Sequence, residues 1–250
     1  MEKLISIITP TYNSERFIGE LYESILQQTH QNWEWLVTDD CSTDRTFEIL
    51  LKLSGKDPRV IPIKNNINSG AAVSRNNSLK RCHGEFIAFV DSDDLWHPEK
   101  LRLQLDFMGD EKSFSFTAYR ILTENGIDSG KRVDTHHNHP LSYTDMLKKK
   151  ATLGCSTVML RRNVIEDLTM PLLRTGQDYA FWLKILKTGV NAYAFTKVLT
   201  DYRIVAGSIS RNKFKKAKRQ WQIYREIESL SFPSSLYCFS FYAWRAIFRR

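Results

Sequence analysis

An apolar run that ends in a cluster of carboxylates constrains the fold of this chain more than any other stretch. Residues 86–90 are all apolar, and Asp91, Asp93 and Asp94 lie within the next four positions. Such a run, rich in aromatic and β-branched residues, is typical of a strand buried on both faces in a parallel sheet. Ligands of open α/β sheets bind beyond the carboxyl ends of the strands, so the cluster is predicted to lie where substrates bind.

The acidic cluster has two interpretations. Three carboxylates this close repel one another unless a positive charge lies among them, and a divalent cation bound by oxygen ligands supplies that charge. Mg²⁺ or Mn²⁺ held in this way commonly takes substrate phosphate oxygens as further ligands. The alternative is an acidic turn before the helix that is predicted to begin near Pro98. The cluster by itself does not decide between these two readings.

Two further predicted strands lead into polar residues in the same way. The predicted strands of the first half before the acidic cluster are residues 4–8, 33–37 and 60–63. Pro10, which cannot donate to a sheet ladder, marks a loop that carries Tyr12, and the second strand leads to Asp39 and Asp40. Apolar residues at helical spacing separate the strands, which predicts a parallel βαβ unit with right-handed crossovers. Three strand ends are thus expected to present polar groups.

Charged residues also lie in or just after the first turn of two predicted helices. A helix over residues 71–81 places Arg75 one turn inside it, where the guanidinium can face an anion. In the less regular second half, residues 114–120 and 156–160 are predicted strands, and Asp178 begins an apolar helix. By itself Asp178 is best explained as an acid that interacts favourably with the helix dipole. The histidines of the polar loop 136–140 are predicted to be solvated, because adjacent positions seldom point at one ion and no Cys or acid completes a shell.

Composition limits the class of protein. With 250 residues and 42% hydrophobic residues, the chain can bury one sizeable core. The four cysteines show no zinc-type pairing and nothing like a signal peptide precedes the first strand, so a cytoplasmic location is predicted. No run approaches the roughly 20 apolar residues of a membrane-spanning helix.

The positive charge of the chain concentrates near its C-terminus. The formal net charge is +8, and six basic residues without an acid lie between residues 211 and 219, namely Arg211, Lys213, Lys215, Lys216, Lys218 and Arg219. Aromatic residues crowd positions 236–248, and two arginines follow. This pattern predicts a helical extension over residues 211–250 that lies on a membrane surface. The alternative is that these aromatics pack on the preceding domain as a final core helix.

Together these stretches resemble the family 2 glycosyltransferases, inverting enzymes that use nucleotide sugars. The resemblance covers about residues 4–210. It rests on five motifs in family order, namely ITPTYN at 8–13, VTDDCSTD at 37–44, NSGAAVSRN at 68–76, DSDDLW at 91–96 and QDY at 177–179. It implies a GT-A fold, with a Rossmann-like, mostly parallel central sheet flanked by helices. It also implies a nucleotide-sugar half (1–110), an acceptor-side half (111–210) and the extension.

The resemblance implies roles for individual residues. Six residues would bind the UDP-sugar donor, namely Pro10, Tyr12, Asp39, Arg75, Asp91 and Ser92, with Asp39 accepting from the uracil N–H. Asp93 would bind the Mn²⁺ or Mg²⁺ ion that bridges the diphosphate, and Asp178 would be the catalytic base. Gln177 stands where a Glu often precedes the base, and Val205 where a His is frequent. Arg203, with its planar guanidinium, is therefore predicted to contact the diphosphate.

The implied reaction transfers a hexose, glucose or galactose, from a UDP-sugar to GlcNAc or GalNAc on polyprenyl diphosphate. The C-terminal part resembles that of bacterial enzymes of O-antigen or capsule assembly, which implies peripheral attachment to the cytoplasmic face of the inner membrane. One alternative is a non-catalytic nucleotide-sugar-binding protein, which would have no need of a base at Asp178. A nucleic-acid-binding protein would explain the charge, but no recognition motif is present and no nucleic-acid partner is predicted. A sugar-nucleotide pyrophosphorylase would need a glycine-rich loop after the first strand, where the sequence has no glycine.

Overall fold

A mixed β-sheet covered by helices on both faces forms the centre of the computed structural model, which describes residues 2–205 and 213–248. The strands are β1 (Ile5–Thr11), β2 (Trp33–Asp39), β3 (Val60–Lys64), β4 (Phe86–Phe89), β5 (Leu95–Trp96), β6 (Phe114–Thr123), β7 (Asp128–Val133), β8 (Val158–Arg161) and β9 (Tyr193–Ile204). The helices are α1 (Ile18–Leu26), α2 (Thr46–Ser54), α3 (Ala71–Leu79), α4 (Lys100–Met108), α5 (Tyr143–Leu147), α6 (Gln177–Leu186), α7 (Lys213–Gln222) and α8 (Phe232–Phe248). A π-helical turn, Ile223–Ile227, joins α7 to α8.

The first half of the chain forms the predicted parallel unit. Strands β3, β2, β1 and β4 lie side by side in that order, and all three pairs are parallel. Alternate residues of β4 pack on opposite faces of the sheet: Phe86 and Ala88 lie in one hydrophobic cluster, and Ile87 and Phe89 in the other. Burial on both faces explains why the sequence of this strand is an unbroken apolar run.

The prediction that a loop begins directly after residue 8 is wrong, because β1 continues to Thr11. Pro10 lies inside β1, opposite Thr38 of β2. The pairing of β1 with β4 ends at Ile8, so this part of β1 has a strand neighbour on one side alone. A proline is compatible with a strand there, because the missing N–H deprives no second ladder of a hydrogen bond.

The prediction of a mostly parallel sheet does not hold for the second half of the chain. Strand β8 is antiparallel to both β4 and β6, and β7 and β5 are antiparallel to their neighbours, while β6 and β9 are parallel. The sheet order is β3-β2-β1-β4-β8-β6-β9-β5, with β7 paired to β6. An apolar run identifies a buried strand without giving its direction, so the sequence did not distinguish β8 from a further parallel strand.

Two hydrophobic clusters make the fold a three-layer structure. One cluster joins the sheet to α1, α2 and α4 and contains Ile18, Leu50 and Leu101. The other joins the opposite face to α3, α5 and α6 and also contains Ile223 and Cys238. The C-terminal segment therefore contributes side chains to the main core. Within the two described ranges no helix is both long and apolar enough to cross a membrane.

Candidate active site

The ends of β1 and β2 and the residues after β4 meet at one edge of the sheet. The backbone N–H of Asp40 donates to the carbonyl oxygen of Thr11 over 2.8 Å. The side-chain oxygens of Ser14 and Ser92 lie 2.8 Å apart and join the β1 end to the acidic cluster. Asn13 adopts a positive φ of 49°, and its side chain accepts from the backbone N–H of Thr43. The predicted donor residues Pro10, Tyr12, Asp39 and Ser92 thus come from adjoining segments.

The neighbouring carboxylates of Asp39 and Asp40 have different environments. The completely buried Asp39 accepts hydrogen bonds from the N–H and hydroxyl of Ser42, and Lys64 Nζ lies 3.8 Å from its Oδ2. Asp40 accepts from the backbone N–H groups of Ser69 and Gly70 at 2.9 and 2.7 Å. Gly70 has φ 91°, a value that favours glycine. Asp40 therefore holds the turn that leads into α3, a role that the sequence did not reveal.

Arg75 is a buried cation at the centre of this edge. Its guanidinium donates to Asp91 Oδ1, while Nε and Nη1 have no hydrogen-bond partner among the described residues. Burial alone would lower the pKa of Arg75, but the neighbouring Cys155, Asp91 and Asp178 more than offset this and raise it. A guanidinium with two unsatisfied donors in a buried site is suited to bind an anion.

The three carboxylates of the acidic cluster also differ from one another. Asp94 is completely buried, where its Oδ2 accepts from Ser156 Oγ at 2.5 Å and its Oδ1 from the backbone N–H of Arg203 at 2.9 Å. Burial, and then the charges of Asp93 and Asp91, raise the pKa of Asp94 well above its ordinary value. Burial and the charge of Asp91 raise the pKa of Asp93 to about 6. Asp94 thus has a structural role. The charged form of Asp93 is disfavoured on balance, and a bound cation would stabilise it.

We expect Asp93→Asn to stabilise the fold in metal-free buffer at pH 7.5. Since the folded-state pKa is about 6 against an ordinary 3.8, the folded protein binds more protons than the unfolded chain between these values, and stability falls as pH rises through that window. The full shift corresponds to about 3 kcal/mol, and partial exposure reduces the expected gain to about 1–2 kcal/mol. Thermal melting should show a rise of a few degrees. An unchanged Tm, or a Tm equal to that of the control variant Asp110→Asn at an exposed position, would contradict the repulsion between Asp93 and Asp91.

The carboxylates of the acidic cluster are suited to bind a cation together with a substrate phosphate. Among the described residues, no group of three or more His, Cys, Asp and Glu side chains is arranged to hold a metal. Mg²⁺ and Mn²⁺, however, are commonly held by one or two carboxylates together with substrate phosphates. Asp93 offers hard oxygen ligands of this kind and carries an unfavourable charge that such a cation would offset. The donor set therefore fits Mg²⁺ or Mn²⁺ bound together with a phosphate.

Arg203, the predicted diphosphate ligand, lies beside the acidic cluster but is paired elsewhere. Its Nη2 donates to Glu20 Oε2 at 2.5 Å, and its guanidinium carbon Cζ lies over the Phe17 ring, 4.9 Å from the centroid. Its Nε has no partner in the described part of the chain. The adjacent Tyr202, which sequence reasoning missed, lies close enough to the cluster that burial and the three carboxylates raise its pKa.

Asp178 lies in the first turn of α6, as the second residue of a helix whose N-cap is Gly176. Its side chain is partly exposed and makes no hydrogen bond to any residue that the structure describes. Its charge contributes to the raised pKa of Arg75. The structure therefore brings Asp178, which is distant in sequence, to the same electrostatic site as Arg75 and Asp91.

A comparison with protein families identifies the family of this chain. The model described as "Glycosyl transferase family 2" matches residues 6–169, which is more than half of the chain. The chain belongs to this family. As a family 2 glycosyltransferase, it is a transferase that carries the acidic cluster and Arg75 within the matched region, while Asp178 lies just beyond it.

Curated relatives of this glycosyltransferase match it over nearly its full length. TuaG of Bacillus subtilis (strain 168), whose name assigns it to teichuronic acid biosynthesis, is 44% identical over 248 residues, covering 99% of this chain and 97% of TuaG. WfgD of Escherichia coli is 40% identical over 222 residues, covering 88% of this chain and 85% of WfgD. WfgD is named as a UDP-Glc:α-D-GlcNAc-diphosphoundecaprenol β-1,3-glucosyltransferase.

Solved structures confirm the GT-A-like fold of this glycosyltransferase. TarS 1-349 of S. aureus superposes with a TM-score of 0.73 at 23% identity, covering 98% of this chain and 72% of that chain. TarS 1-349 has also been solved with UDP-GlcNAc, with a TM-score of 0.71 at 24% identity, covering 88% and 64% of the two chains. The mannosyltransferase PcManGT of Pyrobaculum calidifontis, solved with GDP-Man and Mn²⁺, gives 0.72 at 18% identity, covering 98% and 70%.

Proposed function

We propose that this glycosyltransferase is an inverting enzyme that transfers a hexose from a UDP-sugar to an N-acetylated hexosamine on polyprenyl diphosphate. The observation that carries the proposal is the convergence of Arg75, Asp91 and Asp178, a buried cation beside two carboxylates, at the open edge of the sheet. The name of WfgD favours glucose as donor sugar and GlcNAc as acceptor sugar, with galactose and GalNAc as the next candidates. The name of TuaG likewise favours a role in bacterial surface polysaccharide synthesis.

The donor would bind across the ends of β1 and β2. Tyr12 is 48% exposed and offers a ring face to the uracil, beside Pro10. Asp39 already accepts from Ser42, but a carboxylate has about four lone-pair sites and retains capacity for the uracil N–H. Arg75 and Asp91 would contact the ribose and diphosphate region. Asp93 would hold a divalent cation, which when bound offsets the charge that gathers on the departing diphosphate.

Asp178 would act as the general base in a single displacement. Its carboxylate takes the proton from the acceptor hydroxyl while that oxygen forms a bond to the anomeric carbon, on the face opposite UDP. The bond between the anomeric carbon and the diphosphate oxygen breaks at the same time, and its electron pair leaves with UDP. The buried guanidinium of Arg75 remains charged and stabilises negative charge in this site.

Product formation tests the proposal. The purified protein is incubated with Mn²⁺, a panel of UDP-sugars and a synthetic lipid-diphosphate-GlcNAc acceptor, and the product is identified by mass spectrometry. We expect transfer from UDP-glucose or UDP-galactose. If no sugar is transferred while the protein binds UDP, it is a nucleotide-sugar-binding protein without activity. If it instead retards RNA or DNA at physiological salt, the nucleic-acid alternative is favoured.

The C-terminal helices would attach the enzyme to the cytoplasmic face of the membrane. One side of α8 packs on the domain through buried Cys238, while Leu236, Tyr237 and Trp244 are 54–62% exposed. Lys148 lies over the Tyr237 ring, which places a cation beside the exposed aromatics. Exposed aromatics flanked by cations favour an interface with anionic headgroups. Arg211, Arg249 and Arg250, which also belong to the predicted basic and aromatic tail, lie outside the described residues, as does the proposed boundary between residues 210 and 211.

We expect the double change Leu236→Glu and Trp244→Glu to abolish sedimentation with phosphatidylglycerol-containing liposomes. The reason is that two exposed apolar anchors are replaced by charges that the anionic surface repels, while the buried side of α8 is untouched. The melting temperature and the activity on a short-chain, water-soluble acceptor should not change. The matched control is Ile127→Glu, which replaces a 66% exposed apolar residue in the turn between β6 and β7 and should leave sedimentation intact. Undiminished sedimentation of the double variant would contradict membrane contact through α8.

A further inference from the structure

The C-terminal segment contacts the turn that carries Asp178. Arg219, near the end of α7, donates from Nε to the side-chain oxygen of Thr175 over 3.2 Å. Thr175 lies three residues before Asp178 and directly before Gly176, the N-cap residue of α6. The guanidinium of Arg219 is itself held in place by a 2.6 Å hydrogen bond from Nη1 to Gln222 Oε1. A side chain some forty residues further along the chain thus fixes the start of the helix that carries Asp178.

Gly176 provides a second contact between the same two segments. A Cβ at this position would lie 3.2 Å from Cδ1 of Ile223, so the buried isoleucine packs directly on the glycine backbone. The glycine has φ 70°, a left-handed conformation that other residues adopt at a cost. No side chain caps this helix start. Its placement therefore depends on packing from outside α6.

A third contact holds the residue directly after Asp178. The hydroxyl of Tyr179 donates to the carbonyl oxygen of Met146, and the hydroxyl of Tyr224 donates to that of Leu147, the next residue. Both rings are buried, and burial together with the mutual proximity of the two phenols raises the pKa of Tyr179. The first turn of α6 and the C-terminal segment are thus anchored side by side on the end of α5.

From these contacts we infer that Arg219, Ile223 and Tyr224 form a C-terminal brace that positions the carboxylate of Asp178 for proton transfer. The brace touches positions 175, 176 and 179, on both sides of the base, while the base itself makes no hydrogen bond to any described residue. Without the brace the helix start would shift relative to Arg75. A displacement of about 1 Å at a reacting group costs on the order of a hundredfold in rate. This inference rests on the proposed role of Asp178 as the base.

The brace is tested with Arg219→Ala in the full chain, assayed with a water-soluble acceptor. We expect kcat to fall about tenfold or more, with the melting temperature and the Kd for UDP nearly unchanged, because the hydrogen bonds of Arg219 go to Thr175 and Gln222 and not to a proposed donor residue. Thr175→Val, which removes the hydrogen-bond acceptor and leaves the charge, should lower kcat similarly. The two changes together should cost no more than either alone, since they break one interaction. Arg102→Ala on α4, the matched loss of a half-buried arginine that pairs with Glu99, should leave kcat unchanged.

Two outcomes would overturn the brace. If Arg219→Ala raises the KM for the acceptor while Thr175→Val has no effect, then Arg219 binds the acceptor diphosphate directly. If Ile223→Ala, which leaves all charges in place, keeps full kcat, then packing on Gly176 does not position the base. The Asp178→Asn background separates this inference from the proposed function. There Arg219→Ala should cost nothing further, whereas full activity of Asp178→Asn itself would refute the base, whatever the brace does.

Discussion

Asp178→Asn is expected to lower kcat at least about a hundredfold while UDP binds nearly as before. The amide is isosteric with the carboxylate but does not accept the proton of the acceptor hydroxyl, and loss of a general base typically costs 10²–10⁴-fold. Asp178 makes no hydrogen bond to a described residue, so its replacement should leave the fold intact. Steady-state kinetics with a short-chain acceptor and calorimetric titration with UDP measure the two effects.

The control for this experiment is the replacement of a second aspartate near the site. Asp201→Asn on β9 removes a carboxylate that pairs with Arg120 and not with Arg75, and it should retain most of the activity. If Asp178→Asn weakens UDP binding as much as it lowers kcat, then Asp178 belongs to the donor site or stabilises the fold. Its position at the helix start would then be explained by the dipole alone.

Asp93→Ala is expected to abolish measurable transfer, and excess EDTA should do the same to the unchanged protein. Asp93 carries the one carboxylate of the cluster that is neither paired with an arginine nor used by Ser156, within the described residues. Without it the diphosphate leaving group loses the cation that offsets its charge. Activity is measured with the same acceptor across a Mn²⁺ titration.

The melting temperatures of aspartate variants distinguish a carboxylate that binds a metal ion from one that stabilises the fold. Asp93→Ala should fold, with a melting temperature no lower than that of the unchanged protein in metal-free buffer, because it removes an unfavourable charge. Asp94→Ala should instead lower it, because Ser156 and the backbone N–H of Arg203 would lose their acceptor. Full turnover in excess EDTA would contradict a role for a divalent cation.

The parallel half of the fold was predictable because its signals are local. The apolar run at 86–90 and the polar residues that follow it identify both a buried strand and the edge where the site lies. The end of β1 was not predictable, since the fit of Pro10 in a strand depends on β4 stopping opposite Ile8. The direction of β8 was not predictable either. It is set by the neighbouring strands, and the apolar pattern of β8 does not indicate it.

The candidate site was predictable only in part for a related reason. Asp39 and Asp40 look equivalent in sequence, and only the turn at Gly70 shows that Asp40 is used to hold α3. In the sequence, Asp178 cannot be distinguished from an ordinary acidic residue in the first turn of a helix. Only the fold shows that it lies near Arg75, and its role as a base was predicted from the resemblance to the family. The contacts of Arg219 and Ile223 join segments far apart in the chain, and no local pattern indicates them.

The anomeric configuration of the product tests the central claim most directly. The protein is incubated with UDP-α-glucose and the GlcNAc-diphosphate lipid acceptor, and the new glycosidic linkage is assigned by the proton coupling at its anomeric carbon. Direct displacement with Asp178 as base predicts a β-linked product, the inverse of the donor. An α-linked product would contradict the single displacement, and with it the role proposed for Asp178.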